Sequence, residues 1–319
     1  MRVLLLGATG YVGQRLTSAL SRAGHEVTCI VRTLGPEAAD PRARLAGVHV
    51  RRGDVTEAGF WRTFSVAEFD AVVSALASRT GTPEDAARVD RDAHLALIEA
   101  SRATGPHVVL VSAICVQRPR LAFQHAKLSV ERTLIESGLR HSIVRPTAFF
   151  KSLSGQLGRV RRGEPFLVFG DGRLTASKPI GAEDLADFVA GCLERPERFD
   201  KVLPIGGPGP ALTPREQGEL IFELCERRPK FRHVPVAALD GVIGALSFAG
   251  LFARGLRDTA ELAKIGRYYA TESMLVWDET RGRYDADATP SHGEETFREH
   301  IRAAVRGEVP DERREHAVF

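Results

Sequence analysis

Cysteine is scarce in this sequence, and its spacing excludes the common zinc and iron–sulphur sites. The 319 residues include four cysteines, and no two of them form a C-x-x-C pair. Such sites need closely spaced cysteine ligands, so the sequence predicts no metal centre. We expect reduced, mostly buried thiols in a cytoplasmic protein. The cysteines are Cys29, Cys115, Cys192 and Cys225.

Lysine is rare as well, because only six of the 44 basic residues are lysine. Lysine and arginine are not interchangeable, so each lysine is a candidate for a role that arginine cannot fill. Codon bias explains the scarcity equally well. The lysines are Lys127, Lys151, Lys178, Lys201, Lys230 and Lys264.

Concentrated charge and long hydrophobic runs are also missing. The net charge of +3 is spread along the chain without a basic tract, which argues against a nucleic-acid partner. The most apolar stretch, 234–253, is interrupted by Asp240 and by four glycines or prolines, whereas a spanning helix needs roughly 20 apolar residues. We expect a wall of a substrate lobe here, with docking on a membrane surface as the alternative. A strand is predicted directly after Met1, so no signal or transit peptide is expected.

Short runs rich in valine, isoleucine and leucine recur along the chain, each followed by a helical pattern. This alternation predicts an α/β fold with a Rossmann-like, doubly wound parallel sheet. The alternation loosens near residue 150. We therefore predict a nucleotide-binding domain over 1–150, a smaller substrate lobe over 151–319, and a late strand near 200–207 that returns to the sheet. The six early strand segments are RVLLLG, EVTCIV, VHVRRGD, DAVVSAL, HVVLVSA and HSIVRPTA.

Two helices are predicted from their end residues. The segment EDAARVDRDAHLALIEASRATG reads as a long amphipathic helix that ends at Gly105. A second helix begins at Thr213 as the N-cap, with Pro214 in the first helical position and Glu216 closing a capping box.

The segment LLLGATGYVGQRL carries three glycines directly after the first strand and before a helix. Glycine permits the tight turn and lets backbone N–H groups approach a pyrophosphate at the positive end of the helix dipole. The context predicts a bound dinucleotide, with a merely tight turn as the alternative. The G-x-x-G-x-x-G spacing resembles the extended and atypical short-chain dehydrogenases/reductases. The predicted contact residues are Gly7, Thr9, Gly10, Tyr11, Val12 and Gly13.

The end of the second strand bears on the choice of cofactor. Arg32 stands where an acidic residue would bind the ribose hydroxyls of NAD, and a cation there suits a 2′-phosphate. NADPH is therefore the predicted cofactor, and a solvated arginine is the alternative. Asp54 and Val55 should flank the adenine in this fold, although they could be an ordinary strand end. Ala75, Leu76 and Ala77 are expected beside the pyrophosphate and the nicotinamide ribose. An ordinary strand end is the alternative for these residues as well.

The segment FQHAK departs from the Tyr-x-x-x-Lys pattern of such reductases, because Phe123 precedes Lys127 by four residues. In the tyrosine version, lysine holds the nicotinamide ribose and lowers the phenol pKa, and the phenol protonates a carbonyl oxygen. A positioned general acid contributes about 10²–10⁴-fold, so its loss would handicap ketone reduction. The loss of this acid matters less when hydride goes to a conjugated carbon–carbon double bond. Lys127 is thus the predicted catalytic residue; a salt bridge to Glu131 is the alternative.

Further candidates follow the fifth and sixth strands. Ser112 could donate a hydrogen bond near the nicotinamide or could cap a turn. Pro146 and Thr147 should lie by the nicotinamide amide. Phe149 and Phe150 are predicted to face the ligand, with core packing as the alternative. Two cations, Arg145 and Lys151, are available to a substrate carboxylate, although a surface role is the default.

Eight segments together resemble the NADPH-dependent divinyl chlorophyllide a 8-vinyl-reductases of the short-chain dehydrogenase type. The likeness runs from Met1 to about Gly293, and SAICVQ and RPTAFFKSL are its most specific parts. Phenylalanine in place of tyrosine belongs to the pattern of that family. The segments are LVSAICVQ, FQHAKL, SIVRPTAFFKSLSGQ, FGDG, KPI, LPIGGPG, LTPREQGE and KIGRYYATESM.

This resemblance implies reduction of the 8-vinyl group of a divinyl chlorophyllide, or of a close tetrapyrrole precursor, to ethyl. Phe123 and Tyr268 are then expected to contact the pigment. Water, Lys127, Tyr268 or Tyr269 are candidate proton donors, and packing is the alternative for both tyrosines. The protein would act in the cytoplasm, in contact with the photosynthetic membrane surface or free of it. Two other hypotheses stay open: reduction of another conjugated alkene, and a non-catalytic NADP-sensing regulator or assembly factor.

Overall fold

The computed structural model describes residues 1–32, 47–250 and 253–309. The chain divides into two compact units. Unit 1 comprises Met1–Val116, Ala122–Pro146 and Ala182–Pro204. Unit 2 comprises Gln117–Leu121, Thr147–Gly181 and Ile205–Phe319. Each unit is therefore built from three separate segments, and a division of functions at residue 150 stays a prediction.

The strands of unit 1 form one sheet in the order β3-β2-β1-β4-β5-β6-β8. The pairs from β3 through β6 are parallel. Strands β1, β4 and β5 are buried over nearly their whole length, and such strands read as continuous apolar runs. This confirms the predicted doubly wound α/β fold. The strands are β1 (Arg2–Leu6), β2 (Glu26–Val31), β3 (His49–Arg52), β4 (Ala71–Ser74), β5 (His107–Val111), β6 (His141–Pro146), β7 (Phe166–Phe169), β8 (Lys201–Ile205), β9 (Phe231–Val234), β10 (Val276–Asp278) and β11 (Arg283–Asp285).

The helices of unit 1 cover the sheet and enclose two apolar clusters against it. The α-helices of the described residues are α1 (Tyr11–Arg22), α2 (Phe60–Thr63), α3 (Pro83–Asp85), α4 (Ala93–Ser101), α5 (Ala122–Glu136), α6 (Phe150–Leu153), α7 (Leu157–Arg161), α8 (Ala182–Ala190), α9 (Pro214–Leu224), α10 (Val236–Ala249), α11 (Arg254–Thr271) and α12 (Phe297–Arg306).

The long helix predicted before Gly105 has an interruption that the sequence pattern does not indicate. Between α3 and α4 the backbone forms a π-helical segment over Ala86–Asp92, which we call the π turn. The helix then ends as predicted, because Gly105 adopts a φ of +63° and its N–H bonds the Ser101 carbonyl at 2.9 Å. A π turn accommodates an extra residue and is frequent at functional sites.

Unit 2 has its own apolar core between α6, α7, α9, α12 and the β7–β9 pair. The predicted start of α9 is confirmed in detail. Thr213 Oγ1 accepts the Glu216 N–H at 3.3 Å, and the Glu216 carboxylate accepts the Thr213 N–H at 2.8 Å. These two bonds satisfy N–H groups that the first helical turn leaves without partners.

The apolar stretch 234–253 supplies α10, which packs against α11. None of the α10 side chains is fully buried, and Phe248 is 69% exposed. Arg267 of α11 forms an ion pair with Asp240 of α10, the charge that interrupts the apolar run. In the described ranges, no helix has both the length and the apolarity needed to cross a membrane.

Two buried histidines of unit 1 predict a loss of stability in mild acid. Burial, and then the charge of Lys127, lowers the pKa of His94 to about 4. Burial, and then the charge of Arg140, lowers the pKa of His107 to about 4. Between pH 6.5 and 4 the unfolded chain therefore binds protons that the native chain does not, so stability is complete above pH 6.5 and falls as the pH drops.

We expect the free energy of unfolding to decrease by on the order of 3 kcal/mol per histidine on going from pH 7.5 to 4. Urea unfolding followed by circular dichroism at pH 7.5, 6 and 5 measures this effect. The His107→Gln variant should show a shallower dependence on pH. Equal unfolding free energies at pH 7.5 and 5 would refute the assignment.

Candidate functional site

The glycine turn after β1 holds the backbone of α1 close to the end of β4. Gly7 has a φ of +80°, and a Cβ added there would lie 2.7 Å from the Ala75 carbonyl oxygen. A Cβ on Gly13 would lie 2.0 Å from the Gly7 carbonyl oxygen. The Gly10 N–H bonds the same Gly7 oxygen at 3.0 Å. Two of these positions thus tolerate only glycine, and the turn exposes backbone to a ligand.

The start of α1 follows this turn directly. Gly10 is the N-cap, and within the described segment 1–32 no side chain caps the helix and no acidic residue occupies its first turn. Tyr11 and Val12 are the first helical residues and are half-buried. The Thr9 carbonyl accepts a hydrogen bond from the Gln14 side chain at 3.0 Å. The positive end of the helix dipole is therefore not neutralised by a carboxylate, which suits a pyrophosphate.

Two arginines, Arg32 and Arg88, lie near Asp54, which follows the end of β3. Asp54 Oδ1 accepts the Thr56 N–H at 2.9 Å and the Thr56 hydroxyl at 2.7 Å. Desolvation opposes ionisation of Asp54, but the Thr56 bonds and the charges of Arg32 and Arg88 hold its pKa below the usual value. Both guanidinium groups are exposed. Val55, by contrast, is buried in the core.

The segment after β4 places the predicted nicotinamide-side residues beside the glycine turn. The Ala75 N–H bonds the Leu6 carbonyl at 3.0 Å. Leu76 is half-buried against the core, whereas Ala77 is exposed. The next residue, Ser78, donates its N–H to Asp90 Oδ1 at 3.2 Å. The β4 end, the glycine turn and the π turn therefore meet at one edge of unit 1.

Lys127 lies on α5 with its side chain 11% exposed, and its carboxylate partner is Asp90 of the π turn. The Nζ–Oδ1 distance is 3.1 Å. Lys127 therefore does not form the salt bridge to Glu131 that was its alternative role. Glu131 is itself buried and forms an ion pair with Arg145 at 2.5 Å. Asp90 was not among the residues predicted from sequence.

Ser112 belongs to the Glu131 network. Its hydroxyl donates to Glu131 Oε1 at 2.5 Å, so it caps no turn. The hydroxyl oxygen keeps its capacity to accept a hydrogen bond. Because Glu131 compensates the charge of Arg145, this arginine is a weaker candidate for a substrate carboxylate than a cation without a partner.

Pro146 and Thr147 follow the end of β6, and both are buried. The Thr147 N–H bonds the Ile205 carbonyl at 2.9 Å, and its hydroxyl bonds the Lys178 carbonyl at 2.5 Å. The donors of Thr147 are therefore engaged within unit 2.

The predicted substrate-facing aromatics lie in different environments. Phe123 is half-buried on α5, one turn before Lys127, and Phe149 is half-buried before α6. Phe150 is 1% exposed and packs against Phe297 in the core of unit 2. Core packing, and not contact with a ligand, is therefore the arrangement of Phe150. Tyr268 is buried in unit 2, and its hydroxyl donates to the Arg118 carbonyl at 3.1 Å.

The comparisons with known proteins agree with a nucleotide-binding fold. A family model described as NAD(P)H-binding matches residues 7–196. The rice protein named divinyl chlorophyllide a 8-vinyl-reductase, chloroplastic, is 44% identical over 99% of this chain and 82% of its own length. The photosystem II assembly factor Ycf39 of Synechocystis is 24% identical over 83% of this chain and 84% of its length. A Thermotoga maritima UDP-glucose 4-epimerase structure matches at a TM-score of 0.68 and 17% identity, over 96% of this chain and 98% of that chain.

Proposed function

The chain belongs to the divinyl chlorophyllide a 8-vinyl-reductase family, and we propose that it reduces the 8-vinyl group of a divinyl chlorophyllide, or of a close tetrapyrrole precursor, to ethyl with NADPH. The observation that carries the proposal is a lysine of the reductase type with no phenol beside it. Lys127 is held by Asp90 at 3.1 Å, and Phe123 stands one helical turn before it.

The residues of unit 1 fit a bound NADPH. In the glycine turn, Gly7 and Gly13 allow a close approach of backbone segments that a Cβ would prevent, and the N–H groups at the start of α1 are suited to the pyrophosphate. Ala75 and Leu76 border the same turn. The Lys127 ammonium has three donors, and Asp90 occupies one of them, which leaves donors for the ribose hydroxyls.

Phe123 explains why the substrate should be an alkene. When bound, NADPH supplies a hydride from C4 of its nicotinamide. The phenylalanine ring has no proton to give to a carbonyl oxygen, so ketone reduction would lack its general acid. A vinyl group conjugated to a macrocycle spreads the developing charge and does not need an acid at that position. The half-buried Phe123 offers apolar surface to such a ring.

Arg32 should make the site selective for NADPH, because it directly follows β2, where a cation suits a 2′-phosphate. We expect Arg32→Ala to raise the Kd for NADPH about 10-fold or more, the magnitude of one charged hydrogen bond, and to leave the Kd for NADH nearly unchanged. Fluorescence titration of both nucleotides measures the two constants. Arg102→Ala is the control, because Arg102 is an exposed arginine paired with Glu99 at 2.9 Å. Equal losses for both nucleotides would contradict this role.

The function itself is tested by incubating the purified protein with NADPH and divinyl chlorophyllide and separating the pigments by chromatography. We expect a monovinyl product that requires both protein and NADPH. NADPH binding without any monovinyl product would favour the regulator or assembly-factor hypothesis. The identity of 44% to a reductase, against 24% to an assembly factor, supports the enzyme.

The cellular location is part of the proposal. The exposed apolar face of α10, which includes Phe248, would be the surface that contacts a photosynthetic membrane. Vesicle flotation with Phe248→Ser as the comparison tests that contact separately from the reaction.

A further inference from the structure

We propose that Asp90 is a positioning residue that keeps Lys127 in its ammonium form and aims it at the cofactor. The inference rests on the proposed binding of NADPH by Lys127. Asp90 touches neither substrate nor cofactor in this account, and it acts through the lysine.

Asp90 lies in the π turn, on its buried face. The Asp90 side chain is 1% exposed, although the next two residues, Arg91 and Asp92, are exposed. The turn packs against α5, where Lys127 is located. Asp90 therefore faces Lys127, while Asp92 pairs with Arg91 at the surface.

The bonds of Asp90 are divided unequally between its two oxygens. Oδ1 receives the Lys127 ammonium at 3.1 Å and the Ser78 N–H at 3.2 Å. Oδ2 is buried and has no hydrogen-bond partner among the described residues. Burying a carboxylate oxygen without a donor is unfavourable. Asp90 is thus not optimised for stability alone, as expected for a residue retained for its effect on Lys127.

Within the described ranges, the structure pairs Lys127 with no carboxylate other than Asp90. Glu131, one turn after Lys127, is committed to Arg145 and Ser112. His94 donates Nδ1–H to the Val89 carbonyl at 3.1 Å, since a carbonyl can only accept, and its Nε2 lies 2.9 Å from Ser74 Oγ. The low pKa of His94, caused by burial and then by Lys127, keeps this ring neutral near pH 7.

The other titratable groups on the elements that pack against α5 are paired elsewhere or exposed. His141 of β6 lies 3.4 Å from Asp200. The others are exposed, and they are Arg88, Arg91, Asp92 and Glu99. Asp90 therefore supplies the negative charge that offsets burial of the ammonium. Without it, desolvation would favour the neutral amine.

The proposal predicts a pH dependence that a merely structural role would not produce. We expect Asp90→Asn to bind NADPH progressively more weakly as the pH rises, with a Kd about 10-fold higher at pH 9 than at pH 6.5, because a buried amine without its counter-charge loses its proton. The wild-type protein and Asp92→Asn, the same chemical change two residues away, should vary by no more than about twofold over this range. NADPH fluorescence titrations of the full chain provide all the constants.

A double-mutant cycle tests whether Asp90 acts through Lys127. Asp90→Asn combined with Lys127→Gln should bind NADPH no more weakly than Lys127→Gln alone. An additive loss in the double variant, or a wild-type pH dependence in Asp90→Asn, would overturn the proposal. Should Asp90→Asn fail to fold, Asp90→Glu keeps the charge and must retain the flat pH dependence.

These titrations need no pigment, so they separate this inference from the proposed reaction. The expected pH dependence without any monovinyl product would leave the role of Asp90 intact and refute the substrate. Monovinyl product together with a flat pH dependence in Asp90→Asn would refute the role of Asp90 and leave the proposed substrate intact.

Discussion

Replacing Lys127 with alanine is expected to lower NADPH affinity by about 10- to 100-fold, the range of a hydrogen bond to a charged group, and to reduce turnover with it. The variant removes the group that we propose as the donor to the nicotinamide ribose. It also leaves Asp90 buried at 1% exposure without its counter-charge. Breaking one side of a buried ion pair typically costs about 3–5 kcal/mol, so stability should fall as well.

Three measurements separate these effects: NADPH titration, the rate of pigment reduction at saturating NADPH, and urea unfolding. Lys264→Ala is the matched control, because Lys264 also lies on a helix and pairs with Glu261 at 2.7 Å. The control should keep the affinity and rate of the wild type. Unchanged kinetics in Lys127→Ala would refute the role assigned to this lysine.

Gly13→Ala is expected to abolish measurable NADPH binding. The backbone conformation at Gly13 is helical, so the obstacle is space alone. The new methyl carbon would lie 2.0 Å from the Gly7 carbonyl oxygen and 2.7 Å from the Gly7 carbonyl carbon. Both are backbone atoms, so either the turn or α1 must shift. Overpacking of this kind costs about 1–3 kcal/mol and displaces the N–H groups that should hold the pyrophosphate.

Gly244→Ala provides the comparison for the glycine prediction. Gly244 lies in α10, and a Cβ there would meet nothing within 4 Å. Alanine favours the helix over glycine by about 1 kcal/mol, so this variant should bind NADPH normally and be no less stable. Isothermal titration of both variants with NADPH measures the contrast. Wild-type affinity in Gly13→Ala would show that the turn does not carry the cofactor.

Much of unit 1 was predictable because its signals are local. The central strands are buried on both sides and give uninterrupted apolar runs, as RVLLLG and HVVLVSA show. The glycine turn needs specific residues for steric reasons, so its position follows from spacing. The capping box at Thr213 likewise lies within four residues of sequence. Such features do not depend on distant parts of the chain.

The partners of Lys127 and Ser112 were less predictable because they are distant in sequence. Asp90 lies 37 residues before Lys127, in a segment that only the fold brings against α5. A signal was nevertheless present. At helical spacing Asp90 shares a face with Ala86, Ala93 and Leu97, which are all buried. A carboxylate on an otherwise apolar helix face indicates a buried charged partner.

Arg88 illustrates a second limit of the sequence analysis. Arg32 was identified from its position at the end of a strand. Arg88 lies in the π turn, far from β2 in sequence, yet its guanidinium donates to Thr56 at 3.2 Å and its charge acts on Asp54. Only the fold brings these segments together. The proposed phosphate site accordingly has two cations where the sequence indicated one.

The most direct test of the account follows the hydrogen itself. The purified protein is incubated with divinyl chlorophyllide and NADPH that carries deuterium at both C4 positions of the nicotinamide, and the pigment is analysed by mass spectrometry. The account predicts a monovinyl product that is one mass unit heavier than the product from unlabelled NADPH, with the deuterium in the new ethyl group. A monovinyl product without deuterium, or no monovinyl product at all, would contradict it.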